Sequence, residues 1–378
     1  MNEISALNLF WWLLLGAAVS AAGIFMVRTL GLTLLLRILG RDGTERGELL
    51  EQAGGHSEED QVWFILVGGA VVGAWWPLFK SSLFSGLWLV LLFLVLALVV
   101  GSVGLGQRRR IAAGWQRSWD GSWALLAGLS LLVLGIGIGA TVSGVPLRIT
   151  PRGHLLWGGF MTRFTPYEVL VTGIMTLALG VFLASARVVS RFEGCVAARA
   201  RVLLLVSGAG VLLGFAGGAL WMTQLPGYAL ATGLLPSTTG GGGLALTSSV
   251  IRIPGAYLEQ FFSHFPLLVA PVVAVLLLLA VWLLAWRKKF KHVWALAAAV
   301  VPALVASAGV MTYPFILPSW VDPNSSLTIG NGGSGIPAQV TFLVLLGVLL
   351  PVVIAYQFWL LRRRRRTASA SGRERFHR

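Results

Sequence analysis

Apolar residues in this chain come in long unbroken blocks, without the spacing of a half-buried helix or the alternation of a strand. A block of about 20 residues crosses the hydrocarbon of a bilayer as a helix. Nine blocks of that length fall near residues 9–34, 61–80, 83–105, 122–145, 167–188, 201–224, 265–286, 292–313 and 339–361. Strands with open edges leave backbone groups unpaired in lipid, so each block predicts an α-helix. The expected fold class is all-α, a polytopic integral membrane protein of nine transmembrane helices.

The polar segments between the blocks set the topology. Of the 29 Lys and Arg residues, 23 lie in or beside the segments that follow blocks one, three, five, seven and nine. The N-terminus and the segments after the even blocks hold 5, and Arg28 lies inside block one. Basic residues stay on the cytoplasmic side, which puts the N-terminus outside and the C-terminus in the cytoplasm. Residues 1–361 read as one membrane domain, with a candidate pseudo-repeat of 1–146 and 165–314 plus a ninth helix at 339–361. Residues 362–378 form a basic cytoplasmic tail, where Arg362–Arg366 act as a stop against anionic lipid. The leader before block one carries Glu3 and no basic residue, so this block reads as a retained helix and not as a cleaved signal. Residues 225–262, with Gly240–Gly243, read as a flexible outer loop, and 314–337, rich in Pro, Gly, Ser and Asn, as a loop of ordered turns.

Composition agrees and narrows the function classes. A mean hydropathy of +0.82 with 11% charged residues excludes an ordinary soluble domain. The net charge of +15 would suggest nucleic acid in a soluble protein, but here the basic residues punctuate apolar runs, so no nucleic-acid partner is expected. Cys195 is alone, which rules out an intrachain disulfide or a CxxC motif. His56, His154, His264, His292 and His377 all avoid the middle of a block. Met26, Met175 and Met222 lie within blocks, where methionine usually fills gaps in packing. No haem ligand and no metal site is expected in this chain, and it does not read as a self-contained enzyme. The glycines Gly69/Gly73, Gly135/Gly137/Gly139 and Gly210/Gly214/Gly218 predict close helix contacts.

Charge near the membrane supplies the candidate site. His56, Glu58, Glu59 and Asp60 sit at the mouth of block two. One reading is a helix N-terminus, with acids at the positive end of the dipole. The other is a proton entry, because a carboxylate at the water–membrane boundary can load protons into a buried path. Arg28 lies near the cytoplasmic end of block one, where snorkelling accounts for it; Glu58 is its candidate charge partner. Glu168 opens block five as an N-terminal helix charge.

Several segments together resemble subunit II of the cytochrome bd quinol oxidases. They are Phe10–Gly16, Arg37–Arg46, Gln61–Pro77, Phe84–Trp88, Ser143–Pro146 and, most specifically, Tyr313–Ile329 (YPFILPSWVDPNSSLTI). The resemblance covers essentially the whole chain. It implies a subunit without haem that packs against a subunit I bearing haems b and d, in a complex that oxidises quinol and reduces oxygen to water. It further implies a prokaryotic cytoplasmic (inner) membrane, a candidate structural quinone or lipid, in some members a small third subunit, and in some a proton route through subunit II.

Departures from the family pattern bear on that route. Where the family has a TDGFD-like segment, this chain has Met26–Leu30, with no acid and with Arg28 added. The WDGNQVW-like element is here Ser57–Trp63, in which Glu58 keeps the acidic position. A GFDYR-like acid is missing from Gly104–Arg108, and a WDA-like triplet is replaced by Gly330–Gly332. Two alternatives to a proton-conducting subunit therefore stand: a purely structural partner in a modified oxidase, and a secondary transporter, which would require polar residues at mid-membrane.

Overall fold

The computed structural model describes residues 6–54, 68–81, 86–100, 107, 111–150, 155–158, 167–221, 226–230, 250–257, 261 and 265–375. Among them are 7 helices long and apolar enough to cross a membrane. Helix α1 (Ala6–Leu39) is followed by the polar helix α2 (Gly43–Gly54). Residues 68–74 are helical and lead into α3 (Trp76–Ser81); α4 (Trp88–Val99) comes next. Helices α5 (Ala113–Ser143), α6 (Tyr167–Val189), α7 (Gly194–Trp221), α8 (Val269–Trp286), α9 (Val293–Thr312) and α10 (Ile336–Arg375) supply the remaining spans. The blocks expected at 61–80 and 83–105 lie partly outside the described residues.

Several helices outrun the apolar blocks that predict them. Helix α5 begins at Ala113, nine positions before the expected 122, because the stretch AGWQRSWDG contains no proline and its polar side chains can stand in water. The tight link from α6 to α7 needs Gly194, whose φ of +73° is open to glycine and costly for other residues. Within α1, residues Gly23–Val27 form a π turn, which shifts the register of the helix just before Arg28.

The main core joins α1, α5, α6, α7, α8 and α9 through Leu30, Leu131, Phe182, Leu204, Leu278 and Val300. Lipid tails are as apolar as these side chains, so close packing and not water exclusion holds the helices together. Gly31 lies against the backbone carbonyl of Gly180, leaving no room there for a Cβ. Gly135 and Gly139 lie against Thr172 and Thr176 of α6, Gly137 against Val90, and Gly73 against the Phe342 ring. The expected glycine faces hold at those positions; Gly69 and Gly218 face open space.

The two ends of the bundle differ. At one end, Leu36 and Leu39 of α1 form a small core with Leu49 and Leu50 of α2, Val188 and Val189 of α6, and Val196 and Ala200 of α7. Arg46, Arg199, Arg201 and the Arg287–Lys289 turn gather here. The opposite end carries three two-stranded sheets, small additions in the loops of an otherwise helical chain. Strand β1 (Leu147–Ile149) pairs antiparallel with β2 (Leu155–Trp157), Arg148 opposite Leu156. Strand β3 (Pro226–Leu230) pairs with β4 (Val250–Pro254), Tyr228 opposite Arg252, so the ends of the expected flexible loop 225–262 are regular structure. Strand β5 (Phe315–Leu317) pairs with β6 (Leu327–Thr328) inside the loop expected to be ordered.

Candidate functional site

The sequence candidates His56, Glu58, Glu59 and Asp60 lie outside the described residues, but both flanks of that segment are described. On one side stands α2, ending at Gly54, and on the other the helical residues 68–74.

Helix α2 is pinned to the bundle by two ion pairs. Arg199 of α7 places Nη2 2.8 Å and 2.9 Å from the two carboxylate oxygens of Glu45. The backbone N–H of Arg41 also donates to Glu45, at 2.8 Å. The Arg199 hydrogen bond, then that of Arg41, holds the Glu45 carboxyl below the usual carboxylate range. Arg46 donates from Nε to the carbonyl of Gly40 at 2.9 Å and pairs with Asp120 of α5 at 3.5 Å. The Asp120 side chain is almost wholly buried, and an acid there needs such a partner. Arg201 closes the C-terminus of α8, donating to the carbonyls of Ala285 at 2.8 Å and Trp286 at 3.0 Å.

Deeper in the bundle is an arginine pair. Arg28 is 6% exposed, so the snorkelling account does not describe it; the side chain is enclosed. Its guanidinium lies 5.6 Å from the centre of the Trp294 ring and 5.7 Å from that of Phe25. Arg187 of α6 lies 5.1 Å from the same Trp294 ring. Trp294 opens α9 and Arg187 stands in the last turn of α6, so the pair marks the level where the bundle meets its basic end. An aromatic face attracts a desolvated cation, and Trp294 does this for two. The pairing could not be read from sequence, because three distant helices supply it.

At the sheet-bearing end, the segment Tyr313–Ile329 works as a clasp. Ser325 accepts from the backbone N–H of Ile149 at 2.8 Å, Asn324 from that of Val250 at 2.8 Å, and Ser326 from that of Ser319 at 2.9 Å. Ser319 and Ser325 donate in turn to the carbonyl of Leu147 and the carboxylate of Asp322. Ser334 donates to the carbonyl of Gly73 at 2.8 Å, and Gln339 donates to Asn8 at 3.0 Å, tying the starts of α1 and α10 to the second block. Polar side chains here satisfy buried backbone groups. Asn331, where the family's WDA-like triplet is lost, accepts from the backbone N–H of Thr328 at 2.7 Å. Tyr257 donates to the carbonyl of Val142 at 2.9 Å, and burial, then Tyr228, raises its phenol above the usual tyrosine range.

The described residues bring together no group of three or more His, Cys, Asp or Glu. Met26 and Met175 pack against the main core, and His292 stands just before α9 without a side-chain capping bond.

A family model described as cytochrome bd terminal oxidase subunit II matches residues 7–363. The chain is 27% identical over 368 residues to a cytochrome bd-I ubiquinol oxidase subunit 2 from Escherichia coli, covering 95% of this chain and 94% of that one. It is 24% identical to a probable cytochrome oxidase subunit 2 from Haemophilus influenzae, covering 95% of this chain and 94% of the relative. A chain in the solved bd oxidase structure from Geobacillus thermodenitrificans has the same fold, with a TM-score of 0.60 at 13% identity, covering 95% of this chain and 98% of that one.

Proposed function

The chain belongs to the cytochrome bd terminal oxidase subunit II family, and from that premise we propose that it is the subunit without haem of a complex that oxidises quinol and reduces oxygen to water. It packs against a haem-bearing subunit I and completes the membrane fold, in a prokaryotic cytoplasmic membrane with its N-terminus outside. The observation that carries this reading is the family match across residues 7–363, the whole membrane domain. The charge bias of the loops supports the orientation. Haems b and d belong to subunit I, as does the oxygen chemistry. The test is to purify the chain with its partner, record a reduced-minus-oxidised spectrum and measure quinol-driven oxygen uptake. A complex without b and d haem bands, or without uptake, overturns the reading.

In the finer reading, Glu58 takes protons from the cytoplasm, with His56, Glu59 and Asp60 around it. The pinning of α2 supports this, because it holds the chain leading into the acidic segment at the basic end of the bundle. The second reading, a structural subunit without a proton path, is favoured by the enclosed arginines. A carboxylate beside Arg28 and Arg187 would stay ionised and load protons poorly near neutral pH. Glu58→Gln separates the two. Proton entry predicts slower turnover and a changed pH profile. A structural charge pair predicts unchanged turnover with lower thermal stability.

A further inference from the structure

Between the basic end of α1 and the first turns of α5 lies an open cleft of about 480 Å³, lined by Arg37, Arg117, Ser118, Gly121, Ser122 and Leu125. Its lining holds two guanidinium groups and two hydroxyls and no carboxylate. Asp120, between Ser118 and Gly121 on the helix, is buried and engaged by Arg46, so its charge does not serve the cleft. Among the described residues, Arg37 and Arg117 make no hydrogen bond or ion pair, unlike Arg46, Arg199 and Arg201 around them. Gly121 gives the cleft its floor: a Cβ built there would lie 3.0 Å from Nη1 of Arg37.

Position then says what kind of anion fits. Arg37 stands in the last turn of a membrane-spanning helix, at the level where lipid headgroups lie. Ser118, Ser122, Leu125 and Leu129 share one face of α5 at spacings of four, three and four residues. Leu125 is 66% and Leu129 44% exposed, so the polar cleft opens onto an apolar track running into the bilayer. A charged head over an apolar stripe is the shape of an amphiphile.

We propose that this cleft binds the phosphodiester of an anionic phospholipid, with Arg37 and Arg117 gripping the phosphate, Ser118 donating to it, and an acyl chain lying along Leu125 and Leu129. The site stands independently of the oxidase reading. Two arginines fit a phosphate through paired N–H donors, and the ammonium of a zwitterionic headgroup would be repelled by them.

The test uses the intact purified complex, delipidated in detergent and titrated in native mass spectrometry with phosphatidylglycerol, phosphatidylcholine or inorganic phosphate. Preferential retention of one phosphatidylglycerol is expected, lost on the order of 25-fold in R37Q/R117Q, from about a fivefold contribution per arginine at a membrane surface. Ser118→Asp, which leaves both arginines in place, should weaken it as well, and Arg191→Gln should not. Three results overturn the proposal. One is equal retention in the wild type and both cleft variants. Another is inorganic phosphate displacing the lipid, which would make the cleft a free-phosphate site. The last is a crosslink between Arg37 or Arg117 and a carboxylate of the partner subunit, which would make it an interface.

Discussion

Arg28 and Trp294 meet across the contact of α1 with α9, the guanidinium carbon 5.6 Å from the centre of the indole. Arg187 approaches the same ring, at 5.1 Å. Placing two cations against one aromatic ring inside a membrane protein makes that ring a structural element in its own right. Trp294→Leu should destabilise the purified complex by about 2–4 kcal/mol, since a desolvated cation–π contact is worth about 2 and two are lost. Trp294→Phe should lose less. Thermal unfolding of the three proteins in one detergent checks the order; equal stability of the Leu variant and the wild type refutes it.

Gly31 tests the packing argument with an internal control. A methyl group at this position collides with the Gly180 backbone, which cannot move aside as a side chain can. Gly31→Ala should separate α1 from α6 and cost about 3 kcal/mol or more, seen as reduced assembly with the partner subunit. Gly16→Ala, on the same helix but facing open space, should assemble normally.

The Glu45–Arg199 contact predicts a pH dependence for the docking of α2. Its carboxyl is held below the ordinary range in the folded protein, so its stabilising effect is complete above the ordinary glutamate range and fades as pH falls through the lowered value. The protection factors of residues 43–54, exchange rates referred to the intrinsic rate at each pH, should therefore be high at neutral pH and fall in acid, below the ordinary glutamate range. Glu45→Gln should already exchange faster at neutral pH and lose that acid step. An unchanged step in the variant would assign it to another group.

Tyr257 makes the opposite prediction at the sheet-bearing end. Its phenol is raised, so the stabilisation is present below the ordinary tyrosine range and is lost only as pH rises through the raised value. Tyr257→Phe should cost about 1 kcal/mol through the lost hydrogen bond to Val142. Tyrosinate absorbance in the wild type should include one group titrating later than the variant shows.

How much of this was legible beforehand divides along physical lines. Hydrocarbon imposes its length on any helix crossing it, so runs such as 265–286 announce a span wherever they occur, and Pro266–Trp286 is one. Basic side chains stay on one side of a membrane, so the gathering of Arg46, Arg199 and Arg201 at one end follows from their places along the chain. The loop 314–337 was likewise readable as ordered turns, because serine hydroxyls and asparagine amides can satisfy a folded backbone. What the sequence could not state is which distant groups those side chains would meet. Trp294 between Arg28 and Arg187, Asp120 beneath Arg46, and the cleft shared by Arg37 and Arg117 each join helices far apart in the chain. Segments 225–262 looked structureless because the strands at their ends are too short to carry a pattern; pairing of Tyr228 with Arg252 makes them a sheet. The amino-acid sequence by itself determined the helices, the charged end and the family, since solvent and bilayer act on each segment alone. Tertiary structure alone decided which charges are enclosed and which stand open to a ligand, since that depends on what packs beside them.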